Sequence, residues 1–375
     1  MNSALGGSVR IPKKIKRKKQ QIILSLINEY FSKMKEISRL VDPIIVSSFD
    51  DSQGKITNTD DLRQKLYESA MKRIGKPKMR SHIAMMGYEI CEGKNPNAFL
   101  PIAAAMDLLE FSYYCSDKIF DTDIYKNRVA VEDKIIVSHI LTSSAYQLIA
   151  DSVEFLDINT KQYSEVMRTV SRFIRDIYEG FFIENHNTEP SMELYERRTY
   201  AYNYWEHILK IAAIAAGAND EKRDALANFG RYVGMAYMMT NDAADIVKDF
   251  EDIKNQRYTL PNILFLEKAN VEEKNLFASV FGNEIEDRNT LEKIGKIMIN
   301  NGIINECQAY ASELVEKALP YLSVFNDTQE KRMLAVSTRA VYNNQWYRKM
   351  NELYGFQRTV TPCDLELAGI NLFEV

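Results

Sequence analysis

The sequence predicts an all-α fold, a helical bundle within one domain. Three observations carry that expectation. Among 375 residues only 15 are Gly and 9 are Pro, too few for a turn-rich β architecture. Apolar residues recur with a period near 3.6 through nearly the whole chain. No strand-like alternation persists, and no repeat of fixed length is visible. The length is ample for a buried core, and no loop marks a strong linker. One domain over residues 21–375 is therefore the economical reading, with two helical lobes as the alternative.

Residues 1–20 read as a basic tail containing the run RIPKKIKRKK, Arg10 to Lys19. A solvated lead-in to the first helix is the plainer reading, and an electrostatic tether to anionic lipid the sharper one. The segment QQIILSLINEYFSKMKEISRLV places Ile22, Ile23, Leu26, Ile27, Tyr30 and Phe31 along one helical stripe. SFDDSQGKITNTDD is a polar loop, in which Asp60 or Asp61 is placed to cap the helix LRQKLYESAMKRI. CEGKNPNAF is a connection, and Pro101 sits near the start of IAAAMDLLEFSYYCSDKIF. Further helices are expected at about 131–154, 160–181, 190–217, 220–247, 271–281, 289–318 and 328–353.

Composition narrows the function. A net charge of −4 argues against a nucleic-acid partner. Cys91, Cys115, Cys307 and Cys363 are scattered, without zinc-ligand spacing, so reduced thiols and a cytoplasmic location are expected. No run of eighteen apolar residues exists, so no membrane span is expected. Basic residues stand where the apolar centre of a secretory signal would be.

Two acidic clusters carry the chemistry. In YMMTNDAADIVKDFED, Asn241, Asp245 and Asp249 are four apart and Asp242 lies on the adjoining flank, so a continuous helix would stack them on one face. Like charges at that spacing cost an isolated helix roughly 0.2–0.5 kcal/mol per pair. Asp117 and Asp121 repeat the spacing in DKIFD. Each cluster closes a helix rich in Met, Tyr, Phe and Leu. Carboxylates leaving such a helix need partners, because an unpaired buried charge is costly. Paired i,i+4 acids at exposed helix ends are the bland reading. Two clusters facing each other across a cavity would instead supply oxygen ligands for Mg²⁺, which takes a few carboxylates, several waters and a substrate phosphate.

The pattern resembles the trans-isoprenyl diphosphate synthase family, the polyprenyl synthetases, whose two D-D-x-x-D motifs face each other in an all-helical pocket. DKIFD and NDAAD stand in for those motifs. IGKPKMRS resembles the family's G-G-K-R-x-R-P segment. YERRTYAYNYWEHILKIAAIAAGA resembles the helix with its Lys-Thr pair, here Arg198 and Thr199. QRYTLPNILFL resembles the G-K-x-T-L-P segment. The resemblance covers roughly residues 65–320 and implies an isoprenoid-synthase-like bundle around a central apolar cavity, commonly in a homodimer. It implies about two or three magnesium ions held by Asp117, Asp121, Asn241, Asp245 and Asp249, with Asp242 beside them, and an allylic isoprenyl diphosphate substrate. Lys76, Lys78, Arg80, Lys126, Arg128, Arg198, Lys248 and Arg257 become candidate diphosphate ligands. Tyr113, Tyr114, Thr199, Tyr237 and Met238 become pocket candidates, and a bulky Tyr113 one turn before Asp117 suggests a short to medium prenyl chain.

The departures from the family bear on the reaction. Lys118 replaces the second Asp of the first motif, and Asn241 the first Asp of the second. Glu110 stands where the family has His or Gln in its second diphosphate site, and Lys126-Asn127 where it has Arg-Arg. Asn241, Asp245 and Asp249 also resemble the N-D-x-x-S-x-x-x-E triad of class I terpene synthases. A terpene synthase on this fold is therefore the first reading. A prenyltransferase using isopentenyl diphosphate or another acceptor is the second, and a non-catalytic partner subunit the third.

Overall fold

The helical periodicity of the first segment extends further than its apolar stripe. A helix α1 runs over Lys13–Asp50 without interruption, reaching back into the basic run. Lys and Arg are good helix formers and no Gly intervenes. Pro43 lies inside α1, which costs one backbone hydrogen bond. This computed structural model describes residues 13–50, 74–120, 128–247, 249–283 and 287–338. The helix expected at 62–74 falls almost wholly outside them, as do Asp121, Lys126, Lys248 and Cys363.

Every regular element among the described residues is helical. After α1 come α2 (Met79–Ile90), α3 (Pro96–Phe120), α4 (Arg128–Ser152) and α5 (Thr160–His186). Then follow α6 (Met192–Ala201), α7 (Tyr204–Ala215) and α8 (Asp220–Ala244), and after a 3-10 turn at Asp245–Val247 the short α9 (Glu251–Lys254). The chain closes with α10 (Leu260–Lys268), α11 (Val271–Ala278), α12 (Arg288–Asn300), α13 (Ile303–Ala318), a 3-10 segment at Leu319–Val324, and α14 (Gln329–Ser337). No helix among the described residues is long and apolar enough to cross a membrane. Cys91, Cys115 and Cys307 are buried free thiols.

Two expected helices are each broken in two. Residues 190–217 split at Tyr202-Asn203, where Asn203 accepts from Glu206 N at 3.5 Å and caps α7. Residues 289–318 split at Gly302, whose φ of 74° lies in the left-handed region that stops a helix. One hydrophobic core joins the bundle, with Trp205, Phe173, Phe229 and Phe265 fully buried. Helix α3 packs along α4 and α2, and α7 packs against α2, α5 and α8. The ends of α3 and α8 that carry the acidic residues thereby meet at one cavity.

Candidate active site

The cavity has a volume of about 280 Å³. Its apolar wall comes from three helices: Met106 and Tyr113 of α3, Phe173, Ile177 and Phe181 of α5, and Met238 of α8. These side chains are there because each helix turns its apolar stripe inward. Tyr113 meets Phe173 edge-to-face, with ring centroids 5.5 Å apart. Burial pushes the Tyr113 hydroxyl well above the ordinary tyrosine pKa, and that hydroxyl finds no hydrogen-bond partner among the described residues.

The polar wall is dominated by acids. Seven carboxylates line the cavity (Glu110, Asp117, Glu184, Asp242, Asp245, Glu251 and Asp252) against three guanidiniums, Arg80, Arg198 and Arg257. Asp117 and Asn241 therefore share one space although far apart in sequence.

Asn241, Asp245 and Asp249 do not stack on one helix face, contrary to the sequence expectation. Helix α8 ends at Ala244, and Phe250 reverses the chain at a φ of 59°. A left-handed Phe costs on the order of 1–3 kcal/mol, sustained here by a fully buried ring. The physical reason for the break lies in the acids themselves. A helix C-terminus carries partial negative charge and disfavours a further run of carboxylates. Asp245 instead accepts from Glu251 N at 3.2 Å and Asp252 N at 3.1 Å, capping the positive end of α9. Asp249 does not line the cavity, and its Oδ1 is buried without a hydrogen-bond partner among the described residues.

Behind the acids lies a buried ion network that periodicity does not reveal. Arg198 donates to Asp242 Oδ2 at 3.0 Å and to Glu184 Oε1 at 2.7 Å, and Tyr195 OH donates to the same Asp242 oxygen at 3.0 Å. Tyr202 OH donates to Glu184 Oε2 at 2.5 Å. Arg257 stands 3.5 Å from Glu184 and 3.8 Å from Asp252. Against the penalty of burial, Arg198 and Arg257 hold the Glu184 carboxyl below its ordinary value. Asp252 goes the other way. Burial, with Asp245 and Asp242 beside it, holds its carboxyl well above the usual carboxylate range.

The donor set suits a hard divalent cation. Carboxylate oxygens are in excess, and burial together with the neighbouring Asp245 and Asp242 holds the Asp252 carboxyl above its usual range. No group of three His, Cys, Asp or Glu residues among the described residues forms a ready-made cage. Magnesium does not require one, since one or two carboxylates, waters and substrate phosphate complete its shell. Asp117, Asn241 and Asp245 are the candidates placed on the cavity wall.

Not every sequence candidate reaches the site. Tyr113, Tyr114, Met238, Arg80, Arg198 and Arg257 line the cavity. Thr199 is fully buried and bonds back to Tyr195 O at 2.8 Å, and Tyr237 packs against the core beyond the cavity wall. Lys78 is buried and pairs with Asp42 of α1, while Lys76 is exposed and not on the wall. Arg128 opens α4, with its side chain outside the described set. Sequence reasoning missed Glu184, Tyr202, Glu251 and Asp252. Glu184 left one signal, an acid on the inward stripe of IYEGFFIEN.

A polyprenyl synthetase family model matches residues 60–298. A geranylgeranyl diphosphate synthase from Methanosarcina mazei is 23% identical over 84% of this chain and 96% of its own length. The crystal structure of a geranylgeranyl pyrophosphate synthetase from Pyrococcus horikoshii superimposes with a TM-score of 0.71 at 20% identity, covering 85% of this chain and 99% of its own. A Corynebacterium glutamicum geranylgeranyl pyrophosphate synthase, solved with isoprenyl diphosphate and magnesium, gives a TM-score of 0.71 at 17% identity, with 82% and 99% coverage.

Proposed function

The chain belongs to the polyprenyl synthetase family, and within it we propose a prenyltransferase that condenses an allylic isoprenyl diphosphate with isopentenyl diphosphate. One observation carries the reading: carboxylates from the ends of α3 and α8 share an aromatic-walled cavity with three guanidiniums. The relatives reverse the order of the sequence readings, since those compared are prenyl diphosphate synthases.

The residues divide the work. Asp117, Asn241 and Asp245 would hold Mg²⁺, which when bound supplies positive charge at the diphosphate leaving group. Arg198 and Arg257, positioned by Glu184, present fixed positive charge beside the same acids. Tyr113, Phe173 and Phe181 exclude water from the prenyl chain and offer ring faces to an allylic cation. In the condensation the allylic C–O bond breaks and diphosphate leaves. The isopentenyl double bond then forms the new C–C bond and a proton is lost. A cavity of about 280 Å³ lies near the lower end for ligand pockets and favours a short chain. A homodimer, as the resemblance implies, belongs to the same proposal.

A terpene synthase remains the second reading, favoured by Glu110, whose carboxylate already occupies Arg80 at 2.8 Å. Purified protein with Mg²⁺, geranyl, farnesyl or geranylgeranyl diphosphate and radiolabelled isopentenyl diphosphate decides between them. Label in a longer prenyl diphosphate is the expected result. Label left in isopentenyl diphosphate, with hydrocarbon or alcohol formed from the allylic substrate alone, overturns it. Folded protein that converts neither substrate points to the partner-subunit reading.

A further inference from the structure

We propose that Glu110 is a built-in competitor for the acceptor's diphosphate, holding Arg80 in an internal ion pair that weakens acceptor binding. The identity of the acceptor rests on the prenyltransferase reading; the competition itself is a property of the chain.

Two diphosphates cannot share one set of charges, so the condensation needs a second cationic place. Arg198 and Arg257 are both tied to Glu184 and to the acids of α8 and α9. Arg80, in the first turn of α2, is the remaining cation among the described residues lining the cavity. Lys78 cannot replace it, being buried against Asp42. Arg80 keeps an N–H edge for an anionic oxygen. Its guanidinium carbon sits 4.3 Å from the centre of the Tyr204 ring, which covers one face, and its buried Nε has no partner among the described residues. A diphosphate oxygen could accept from such an edge.

Glu110 contests that position. Its Oε1 lies 2.8 Å from Arg80 Nη1, and the two side chains are only 18% and 17% exposed, so solvent screens the pair incompletely. One turn earlier on α3, Asp107 is fully buried, with Ser81 donating to its Oδ2 and no partner for Oδ1. Burial, reinforced by Glu110, pushes the Asp107 carboxyl up to about 7. Glu110 thus makes the ion pair with the guanidinium, and the buried Asp107 carboxyl lies one turn away on the same helix. An incoming diphosphate must displace Glu110 and leave its charge without that partner, or bind beside it against repulsion.

Direct titration with isopentenyl diphosphate in EDTA tests the competition apart from turnover, because without metal the acid-rich wall repels diphosphate. Glu110→Gln keeps the shape and removes the charge. It should bind isopentenyl diphosphate at least about tenfold more tightly than the parent, and Arg80→Ala added to it should abolish the gain. Equal or weaker binding by Glu110→Gln overturns the proposal, as does a gain that survives loss of Arg80. If Glu110→Gln melts early, Glu110→His is read by the same criteria. The radiolabel assay on the parent judges the prenyltransferase reading separately, so either can fail while the other stands.

Discussion

Asp245 joins local structure to chemistry through one carboxylate. It caps α9 through two backbone amides while facing the cavity shared with Asp117. The two roles separate by substitution. Asp245→Asn keeps a capping oxygen and removes the charge, whereas Asp245→Ala also loses the cap, at about 1 kcal/mol. Both should lower turnover on the order of 100-fold or more, the scale for one preorganised electrostatic group. Only the alanine variant should melt measurably earlier. Asp117→Ala should match them in turnover loss. Parent-like rates in either Asp245 variant would remove the residue from the site.

At the scale of elements, the crossing of α7 and α8 sets where the acidic end of α8 lies. A Cβ at Gly230 would come within 2.6 Å of Trp205 O and 2.9 Å of Glu206 N, so the α8 surface rests directly on the backbone at the start of α7. Backbone atoms cannot rotate aside as a flexible side chain can. Gly230→Ala must push the helices apart, costing about 1–3 kcal/mol by overpacking. The displacement would carry along Asn241, farther down the same helix, and Asp245 just past its end. A lower melting temperature together with reduced turnover is the expected outcome. A variant with parent melting and parent rate would show that the crossing has slack.

For the whole molecule, the excess of acids over guanidiniums in the cavity leaves part of the folding free energy dependent on bound cations. Any ligand that binds the folded chain alone stabilises it by mass action. Mg²⁺ with inorganic pyrophosphate should therefore raise the melting temperature by a few degrees, about 2–4 °C per kcal/mol for domains of 150–250 residues and less for a longer chain. EDTA should reverse the rise, and Asp245→Asn should blunt it. Melting that ignores both Mg²⁺ and pyrophosphate would contradict a cation-dependent site.

The sequence by itself determined the all-helical class, the inward stripes of the long helices and the presence of two acidic helix ends. Those properties are local. Periodicity records which face of a helix is apolar, and composition argues against strands and membrane spans. Tertiary structure decided what depended on partners distant in the chain. Lys78 and Arg80 are indistinguishable as cations in GKPKMR, yet Asp42 on α1 claims one and the cavity receives the other. Arg198 and Thr199 are neighbours, but the arginine enters the Glu184 network while the threonine bonds back to its own helix. The four-residue spacing of Asn241, Asp245 and Asp249 suggested one continuous face. The chain instead ends the helix at Ala244, because a carboxylate gains more by capping α9 than by joining like charges at a helix C-terminus.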